Sequence, residues 1–214
     1  MAKREVHFFD DDELFAAGAG YAPFHERFRV RRRQRIVGEC TPIYLYWRPA
    51  MERIWNYNPE IKLIVILRNP IIRAFSHWNM ERIRKNEPLD FLDAIEAEPR
   101  RAAAVAPRQL RRYSYVGRGL YSAQIERVMT FFAGEQVKFV RYEKFHEDQQ
   151  TTVNEITEFL GAKPTRVTRR EEQNVFPYRR QLTPDERISV AEKFREDIPR
   201  IEKSLGWDCS DWKQ

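Results

Sequence analysis

The segment Lys62-Leu-Ile-Val-Ile-Leu67 is followed directly by Arg68-Asn-Pro-Ile-Ile-Arg73-Ala-Phe-Ser76-His-Trp78. Its first half is an unbroken apolar run rich in β-branched residues, which is typical of a strand buried on both faces of a parallel sheet. Asn69 suits a helix N-cap and Pro70 suits the first helical position. The stretch therefore predicts a central strand that leads at once into a helix, as in an α/β fold.

The strand-to-helix junction combines groups that suit a phosphate. Arg68 would lie at the carboxyl end of the strand, and Ser76 about two turns into the helix on a side that can face the same crevice. Free backbone N–H groups and the positive end of the helix dipole are expected there as well. An arginine in this position is about as often a structural ion-pair partner, so the pattern alone leaves both readings open.

The residues of this motif also resemble those of a known family. Arg68-Asn-Pro-x-x-Arg73-Ala-x-Ser76 resembles the 3′-phosphate-binding motif of the sulfotransferases that use PAPS (3′-phosphoadenosine-5′-phosphosulfate). It looks most like the branch with the heparan-type carbohydrate sulfotransferases and their bacterial relatives. The resemblance implies a P-loop-NTPase-like α/β fold, PAPS as co-substrate, and binding of its 3′-phosphate by Arg68 and Ser76.

A second segment carries the same resemblance. Residues 3–10, Lys-Arg-Glu-Val-His-Phe-Phe-Asp, resemble the Lys-Glu-x-His-Phe-Phe-Asp signature of that branch. The resemblance implies that Glu5 is the catalytic base and that His7 lies beside it in the cleft. A carboxylate within hydrogen-bond reach can take the proton that a hydroxyl or amine acceptor loses. Without the family, a solvated Glu5 and a packed His7 would be the simpler interpretation.

The remaining patterns predict one domain over residues 1–214, with a parallel sheet of at least three strands at about 35–39, 61–67 and 136–141. Helices are predicted at 49–57, from Pro70 to about Arg84, from Leu89 with an interruption at Pro99, through 121–132, and through 153–160 with Gly161 as cap. Thr183-Pro-Asp-Glu186 has the capping-box pattern of a helix start. The apolar stripe of the helix that begins there continues past Pro199, where a kink is expected.

Two departures from the family pattern bear on the site. Cys40 stands where the family has a lysine that points toward the reacting centre. We favour an inert, buried Cys40 thiol over a reactive one. The family's 5′-phosphosulfate loop of the Lys-x-Gly-Thr type would precede residue 3 and is not found in the chain. We therefore expect a fold that lacks its first strand and this loop, through either a truncated start or a real loss, so that the chain as given is not a competent sulfotransferase. The missing strand would leave an uncovered sheet edge that could support a homo-oligomer.

Two arginine-bearing loops have several interpretations. In relatives, the region that matches residues 163–182 closes over the nucleotide, so Tyr178 and either Arg179 or Arg180 are candidate PAPS contacts, although a plain surface pair is about as plausible. The cluster from Arg27 to Arg35 suits a solvated loop or an anionic acceptor. Nucleic-acid binding is disfavoured because no aromatic stacking platform or nucleic-acid motif accompanies it.

Composition narrows the function classes. The 214 residues include 42% hydrophobic residues and carry a formal net charge of +6, which favours a globular domain with anionic partners. No transmembrane run or signal sequence is apparent, and two cysteines are too few for a disulfide framework or a cysteine-based zinc site. We expect a cytoplasmic, metal-free enzyme that transfers a sulfuryl group to a hydroxyl or amine, with a small molecule or saccharide as acceptor. The alternatives are a non-catalytic nucleotide- or anion-binding remnant and, on charge alone, a basic nucleic-acid binder.

Overall fold

The central strand forms as predicted, and a second strand pairs with it. In the computed structural model, which describes residues 5–168 and 177–213, β1 spans Leu63–Leu67 and β2 spans Val137–Arg141. They are hydrogen-bonded neighbours in a parallel sheet of two strands within the described residues. The carboxyl ends of both strands therefore lie at the same edge of the sheet.

The described part of the chain also contains eleven α-helices and three 3₁₀ turns. The 3₁₀ turns are Gly117–Gly119, Gly134–Gln136 and Ser210–Trp212. The helices are α1 Asp12–Ala16, α2 Ala22–His25, α3 Ile43–Tyr46, α4 Ala50–Tyr57, α5 Pro70–Ile83, α6 Phe91–Val105, α7 Ser122–Phe131, α8 Tyr142–Glu147, α9 Gln149–Phe159, α10 Pro184–Glu192 and α11 Asp197–Leu205. No helix among the described residues is long and apolar enough to cross a bilayer.

The contacts of the described residues fall into two compact units. The first comprises the described parts of Met1–Val65, Arg127–Lys138 and Val153–Thr165, and the second those of Ile66–Glu126, Phe139–Thr152 and Arg166–Gln214. One domain over residues 1–214 stays a prediction.

An aromatic cluster forms much of the core of the first unit. The rings of Phe9 and Phe24 lie 5.0 Å apart, Phe8 lies 5.1 Å from each of them, and Tyr44 and Tyr57 each lie 5.6 Å from Phe9. Such edge-to-face and tilted pairs add to the stabilisation from apolar burial. The Phe-Phe pair thus anchors the segment that carries Glu5 and His7.

The second unit is built on α5, which local signals predict well. The side chain of Asn69 accepts hydrogen bonds from the N–H groups of Ile71 and Ile72, and Pro70 occupies the first helical position. The buried face of α5 carries Phe75 and Trp78, both of which contact the ring of Phe91 in α6. This packing fixes the helix that begins at the carboxyl end of β1.

Two predictions about strands are wrong. Residues 35–39 form no strand, and Ile36 and Val37 are 41% and 43% exposed, because no described element covers them as a sheet neighbour would. The strand β1 is also not buried on both faces, since Ile64 and Ile66 are 38% and 46% exposed. An apolar run predicts a strand, but it does not show how many of its faces are covered.

Two predictions about prolines are also wrong. Helix α6 continues through Pro99: its buried residues Phe91, Ala94, Ile95 and Glu98 pack the turns before the proline, and Arg101 after it donates two hydrogen bonds to buried Glu87. At the C-terminal end there is no kinked helix: α10 ends at Glu192 and α11 begins at Asp197. Pro199 lies in the first turn of α11, where a missing N–H costs no helical hydrogen bond.

Candidate functional site

In the first unit, the segment 5–10 places an imidazole between two carboxylates. Nε2 of His7 lies 3.1 Å from a carboxylate oxygen of Glu5, and Nδ1 of His7 lies 3.1 Å from the Oδ2 atom of Asp10. Glu5 and His7 are about half exposed, whereas Asp10 is fully buried. A ring protonated at both nitrogens donates to both carboxylates, and a neutral ring can donate to only one.

The backbone of this segment is held by two hydroxyl groups. The Thr41 hydroxyl accepts hydrogen bonds from the N–H groups of Val6 at 3.0 Å and His7 at 3.5 Å. The Tyr44 hydroxyl accepts from Phe8 and Phe9 at 2.9 and 3.3 Å. These bonds satisfy four consecutive backbone donors, so they fix the position of the Glu5–Asp10 segment within the first unit.

A carboxylate supports the Thr41 hydroxyl, which donates to Glu39 at 2.7 Å. Burial raises the pKa of Glu39, although the hydroxyl groups of Thr41 and Tyr44 oppose that shift.

The backbone of His7 is strained. Its φ of 53° lies in the left-handed region, which residues other than glycine seldom adopt. Strain of this kind persists where surrounding contacts over-determine the backbone, and it concentrates at functional sites.

Cys40 is exposed, so the prediction of a buried thiol is wrong. Partial desolvation of the sulfur, followed by the nearby carboxylates of Glu39 and Glu5, raises the pKa of the Cys40 thiol. A protonated thiol is a poor nucleophile. The described residues contain no group of three or more His, Cys, Asp or Glu side chains that could hold a metal ion.

In the second unit, the junction between β1 and α5 is fixed by groups on either side of it. The Tyr121 hydroxyl donates a hydrogen bond to the Arg68 carbonyl at 3.0 Å. Burial raises the pKa of Tyr121 to about 12, so this hydroxyl keeps its proton. The carboxylate of Glu143 accepts from the N–H of Asn69 at 2.8 Å. The turn is therefore anchored at consecutive residues.

The expectation of free N–H groups at the start of α5 is wrong. The side chain of Asn69 accepts hydrogen bonds from the N–H groups of Ile71 and Ile72, and the Asn69 carbonyl accepts one from the N–H of Arg73. Pro70 has no N–H group. An anion at this junction would therefore be held by side chains.

Arg68 differs from other arginines that stack on aromatic rings. Its guanidinium carbon lies 4.8 Å from the centroid of the Tyr142 ring, yet it has no carboxylate partner within residues 5–168 and 177–213. Other arginines among the described residues combine a stacked ring with a carboxylate: Arg53 with Asp12, Arg82 with Asp90, Arg101 with Glu87, Arg141 with Asp211 and Arg180 with Glu186. The N–H groups of Arg68 are thus left for a ligand as far as the described residues go.

The other predicted contacts differ in their surroundings. Ser76 is half-buried, and its hydroxyl forms no hydrogen bond with a described residue. Tyr178 is 47% exposed and stacks on Phe75 at 5.7 Å with an interplanar angle of 5°. Arg180 is bound to Glu186 through two hydrogen bonds of 2.6 and 2.7 Å, whereas Arg179 is exposed and has no partner among the described residues. The centre of the predicted nucleotide loop, residues 169–176, and Lys3 and Arg4 lie outside the described residues.

Asp10, Tyr142 and Glu143 were not among the predicted site residues. Asp10 closes the quoted Phe-Phe-Asp motif three positions after His7, so its spacing could have identified it. Tyr142 and Glu143 directly follow β2, and the carboxyl ends of parallel strands share one edge of the sheet. That rule could have placed them beside Arg68.

Comparisons with known proteins bear on these arrangements. A family model described as the sulfotransferase domain matches residues 45–202. This range includes Arg68, Ser76 and Tyr142, whereas Glu5 and His7 precede it.

Curated relatives carry consistent names. The chain is 26% identical over 166 residues to heparan sulfate glucosamine 3-O-sulfotransferase 5 of Mus musculus, an alignment that covers 76% of this chain and 46% of that protein. It is 29% identical over 159 residues to heparan sulfate glucosamine 3-O-sulfotransferase 6 of Homo sapiens, with coverages of 74% and 44%. The matched part of this chain spans less than half the length of these relatives.

A solved structure is similar over nearly the whole chain. The sulfotransferase from Alicyclobacillus acidocaldarius matches with a TM-score of 0.81 at 27% identity, and the match covers 99% of this chain and 87% of that one. This likeness confirms the predicted α/β fold class.

Proposed function

The chain belongs to the sulfotransferase family, and from that premise we propose that it transfers a sulfuryl group from PAPS to a hydroxyl or amine acceptor, with a saccharide hydroxyl as the first candidate. The observation that supports this most directly is Arg68, a stacked guanidinium without a carboxylate partner among the described residues. Arg68 lies within the matched range, in the segment that resembles the family's 3′-phosphate-binding motif.

The donor set of the second unit fits the 3′-phosphoadenosine part of PAPS. Arg68 offers N–H groups and Ser76 offers a hydroxyl, both without hydrogen-bond partners among the described residues, and phosphate oxygens accept strongly from such donors. Tyr178 offers a half-exposed ring on which an adenine could stack, and Arg179 offers an uncommitted charge. Arg180 is the weaker candidate because Glu186 already neutralises it.

The first unit supplies the groups for acceptor activation. In this proposal Glu5 takes the proton from the attacking oxygen or nitrogen, and His7 holds the Glu5 carboxylate in place through Nε2. Buried Asp10 fixes the ring through Nδ1. When bound, PAPS supplies the sulfuryl group and leaves as adenosine 3′,5′-bisphosphate.

An exposed arginine cluster supports an anionic acceptor. Six arginines fall within residues 27–35, all are exposed, and none has a carboxylate partner in the described part of the chain. Arginine binds sulfate and carboxylate groups through paired N–H donors. The names of the curated relatives refer to heparan sulfate, so we propose an acidic saccharide as the acceptor to test first.

The first experiment tests the donor site. Adenosine 3′,5′-bisphosphate at a hundredfold excess over its Kd should stabilise the wild type by about 2.7 kcal/mol, measured as a thermal shift. Arg68→Ala should weaken binding roughly tenfold or more, because the phosphate loses a charged hydrogen-bond partner. Arg200→Ala removes the same charge from an exposed site and should leave binding unchanged.

The outcome separates the two candidate functions. Equal protection of wild type and Arg68→Ala would place the nucleotide elsewhere and remove the main support for the proposal. A second assay follows formation of the bisphosphate from PAPS with acidic saccharides, neutral saccharides, phenols and amines. Selective binding without turnover would instead support the non-catalytic nucleotide-binding alternative.

A further inference from the structure

The residue that stacks beneath Arg68 comes from the neighbouring strand. Tyr142 is the first residue of α8 and directly follows β2, so it reaches the sheet edge at which β1 ends. Its ring is also stacked on His146, with centroids 5.9 Å apart and an interplanar angle of 20°. The hydroxyl of Tyr142 forms no hydrogen bond with a described residue, so the ring makes the contact.

Stacking controls a guanidinium differently from an ion pair. A ring fixes the plane of the guanidinium and leaves the N–H donors at its edge available, whereas a carboxylate occupies those donors. Arg141, next in sequence to Tyr142, shows the second arrangement: it stacks on Trp212 at 5.4 Å and binds Asp211 at 2.7 Å. At Arg68 only the stacking component is present among the described residues.

The turn that carries Arg68 is fixed independently of its side chain. Tyr121 holds the Arg68 carbonyl and Glu143 holds the N–H of Asn69. The backbone position is therefore set by these two bonds, and the ring of Tyr142 is left to set the direction of the guanidinium.

We propose that Tyr142 is a positioning residue that orients Arg68 toward the 3′-phosphate and so gives the site its selectivity for 3′-phosphorylated nucleotides. This inference rests on the proposed function. A 5′-nucleotide that lacks the 3′-phosphate does not need the oriented guanidinium, so loss of the ring should weaken only the ligand with that phosphate.

The test is a ratio of affinities measured by isothermal titration calorimetry. Binding of adenosine 3′,5′-bisphosphate is compared with that of adenosine 5′-monophosphate in the wild type, Tyr142→Phe and Tyr142→Leu. We expect Tyr142→Phe to keep the wild-type ratio and Tyr142→Leu to lower it about threefold or more, since a cation–π contact is worth about that much. In an Arg68→Ala background, Tyr142→Leu should have no further effect on the ratio.

A matched control separates orientation from general destabilisation. The guanidinium carbon of Arg101 lies 4.4 Å from the centroid of the Tyr113 ring, as in the Arg68–Tyr142 pair, but Arg101 also donates two hydrogen bonds to Glu87. Tyr113→Leu should lower the melting temperature without changing the affinity ratio. If Tyr142→Leu does not fold, Tyr142→Met replaces it, since methionine keeps apolar volume without a ring.

The two proposals fail in different ways. A wild type that binds both nucleotides equally would overturn the proposed donor site, and the role of Tyr142 with it. A wild type that prefers the bisphosphate, together with a folded Tyr142→Leu that keeps the full preference, would overturn the positioning role alone.

Discussion

Glu5 has a carboxylate oxygen 3.1 Å from Nε2 of His7, and the opposite ring nitrogen faces buried Asp10. The His7 ring is hydrogen-bonded to Asp10 on one side and lies within ion-pair distance of Glu5 on the other, and Glu5 is open to solvent. The sequence identified Glu5 and His7 only through a family signature, because an exposed glutamate near a histidine has no distinctive local pattern. Arg68 was different: its position after an apolar run and before Asn69-Pro70 made an anion site as plausible as a structural ion pair even without the family.

The carboxylate of Glu5 is the group whose removal should abolish proton transfer. Under conditions where the wild type turns over PAPS, Glu5→Gln should lower kcat about 10²-fold or more, since an amide cannot accept the proton. Affinity for adenosine 3′,5′-bisphosphate should not change. Glu13→Gln makes the same replacement on the exposed side of α1 and serves as the control. Full activity in Glu5→Gln would move the base to another residue, with His7 the first to examine.

At the scale of elements, boundaries set by local chemistry were predictable. The side chain of Thr183 accepts from the N–H of Glu186, and the Glu186 carboxylate accepts from the N–H of Thr183, as the capping-box pattern predicts. The prediction of a strand at residues 35–39 was wrong because Ile36 and Val37 would be buried only if another element covered them. No local sequence pattern reveals whether such an element is present. Helix α6 persisted through Pro99 for the converse reason, since burial of the turns before the proline and the Arg101–Glu87 hydrogen bonds after it offset the lost helical hydrogen bond.

A glycine between two elements gives the next prediction. A Cβ atom on Gly119 would lie 2.8 Å from Cε1 of Phe194 and 3.2 Å from Cβ of Pro70, the first residue of α5. Gly119→Ala should therefore destabilise the protein by about 1–3 kcal/mol in urea unfolding, because both neighbours are buried and must shift. It should also weaken bisphosphate binding, since Pro70 follows the turn that carries Arg68.

The control for this variant is Gly20→Ala. Nothing lies within 4 Å of a Cβ at Gly20, and this position shows no positive φ. We expect its free energy of unfolding to stay within about 0.5 kcal/mol of the wild type. Equal stabilities of the two variants would show that the Phe194 side chain adjusts freely and that Gly119 has no packing role.

At the scale of the whole molecule, the charge is unevenly distributed along the chain. The formal net charge is +6, and the arginine cluster at residues 27–35 contains six arginines with no acidic residue among them. The attraction for anionic partners that the composition predicts is thus concentrated in one exposed segment. No such concentration could be inferred from the net charge alone, which counts charges without their positions.

The buried imidazole of His77 leads to a prediction about stability against acid. Burial, followed by the charges of Arg73 and Arg118, holds the pKa of His77 well below its ordinary value of 6.5. Its Nδ1 atom is buried without a hydrogen-bond partner in the described structure, and its ring contacts that of Tyr115 at 4.9 Å. A proton on this ring would be added next to two guanidinium groups.

The sign of the resulting pH dependence follows from proton binding in the two states. Between the lowered folded pKa and 6.5, the unfolded chain binds a proton at His77 that the folded chain does not, so this group favours unfolding as the pH falls below 6.5. From about pH 7.5 to about pH 5.5 the expected loss is about 1.4 kcal/mol of unfolding free energy. His77→Phe keeps a ring against Tyr115 and removes the titration, so the fall between those pH values should become shallower by that amount in urea unfolding. An unchanged slope would show that His77 binds its proton equally in both states and that other groups cause the acid sensitivity.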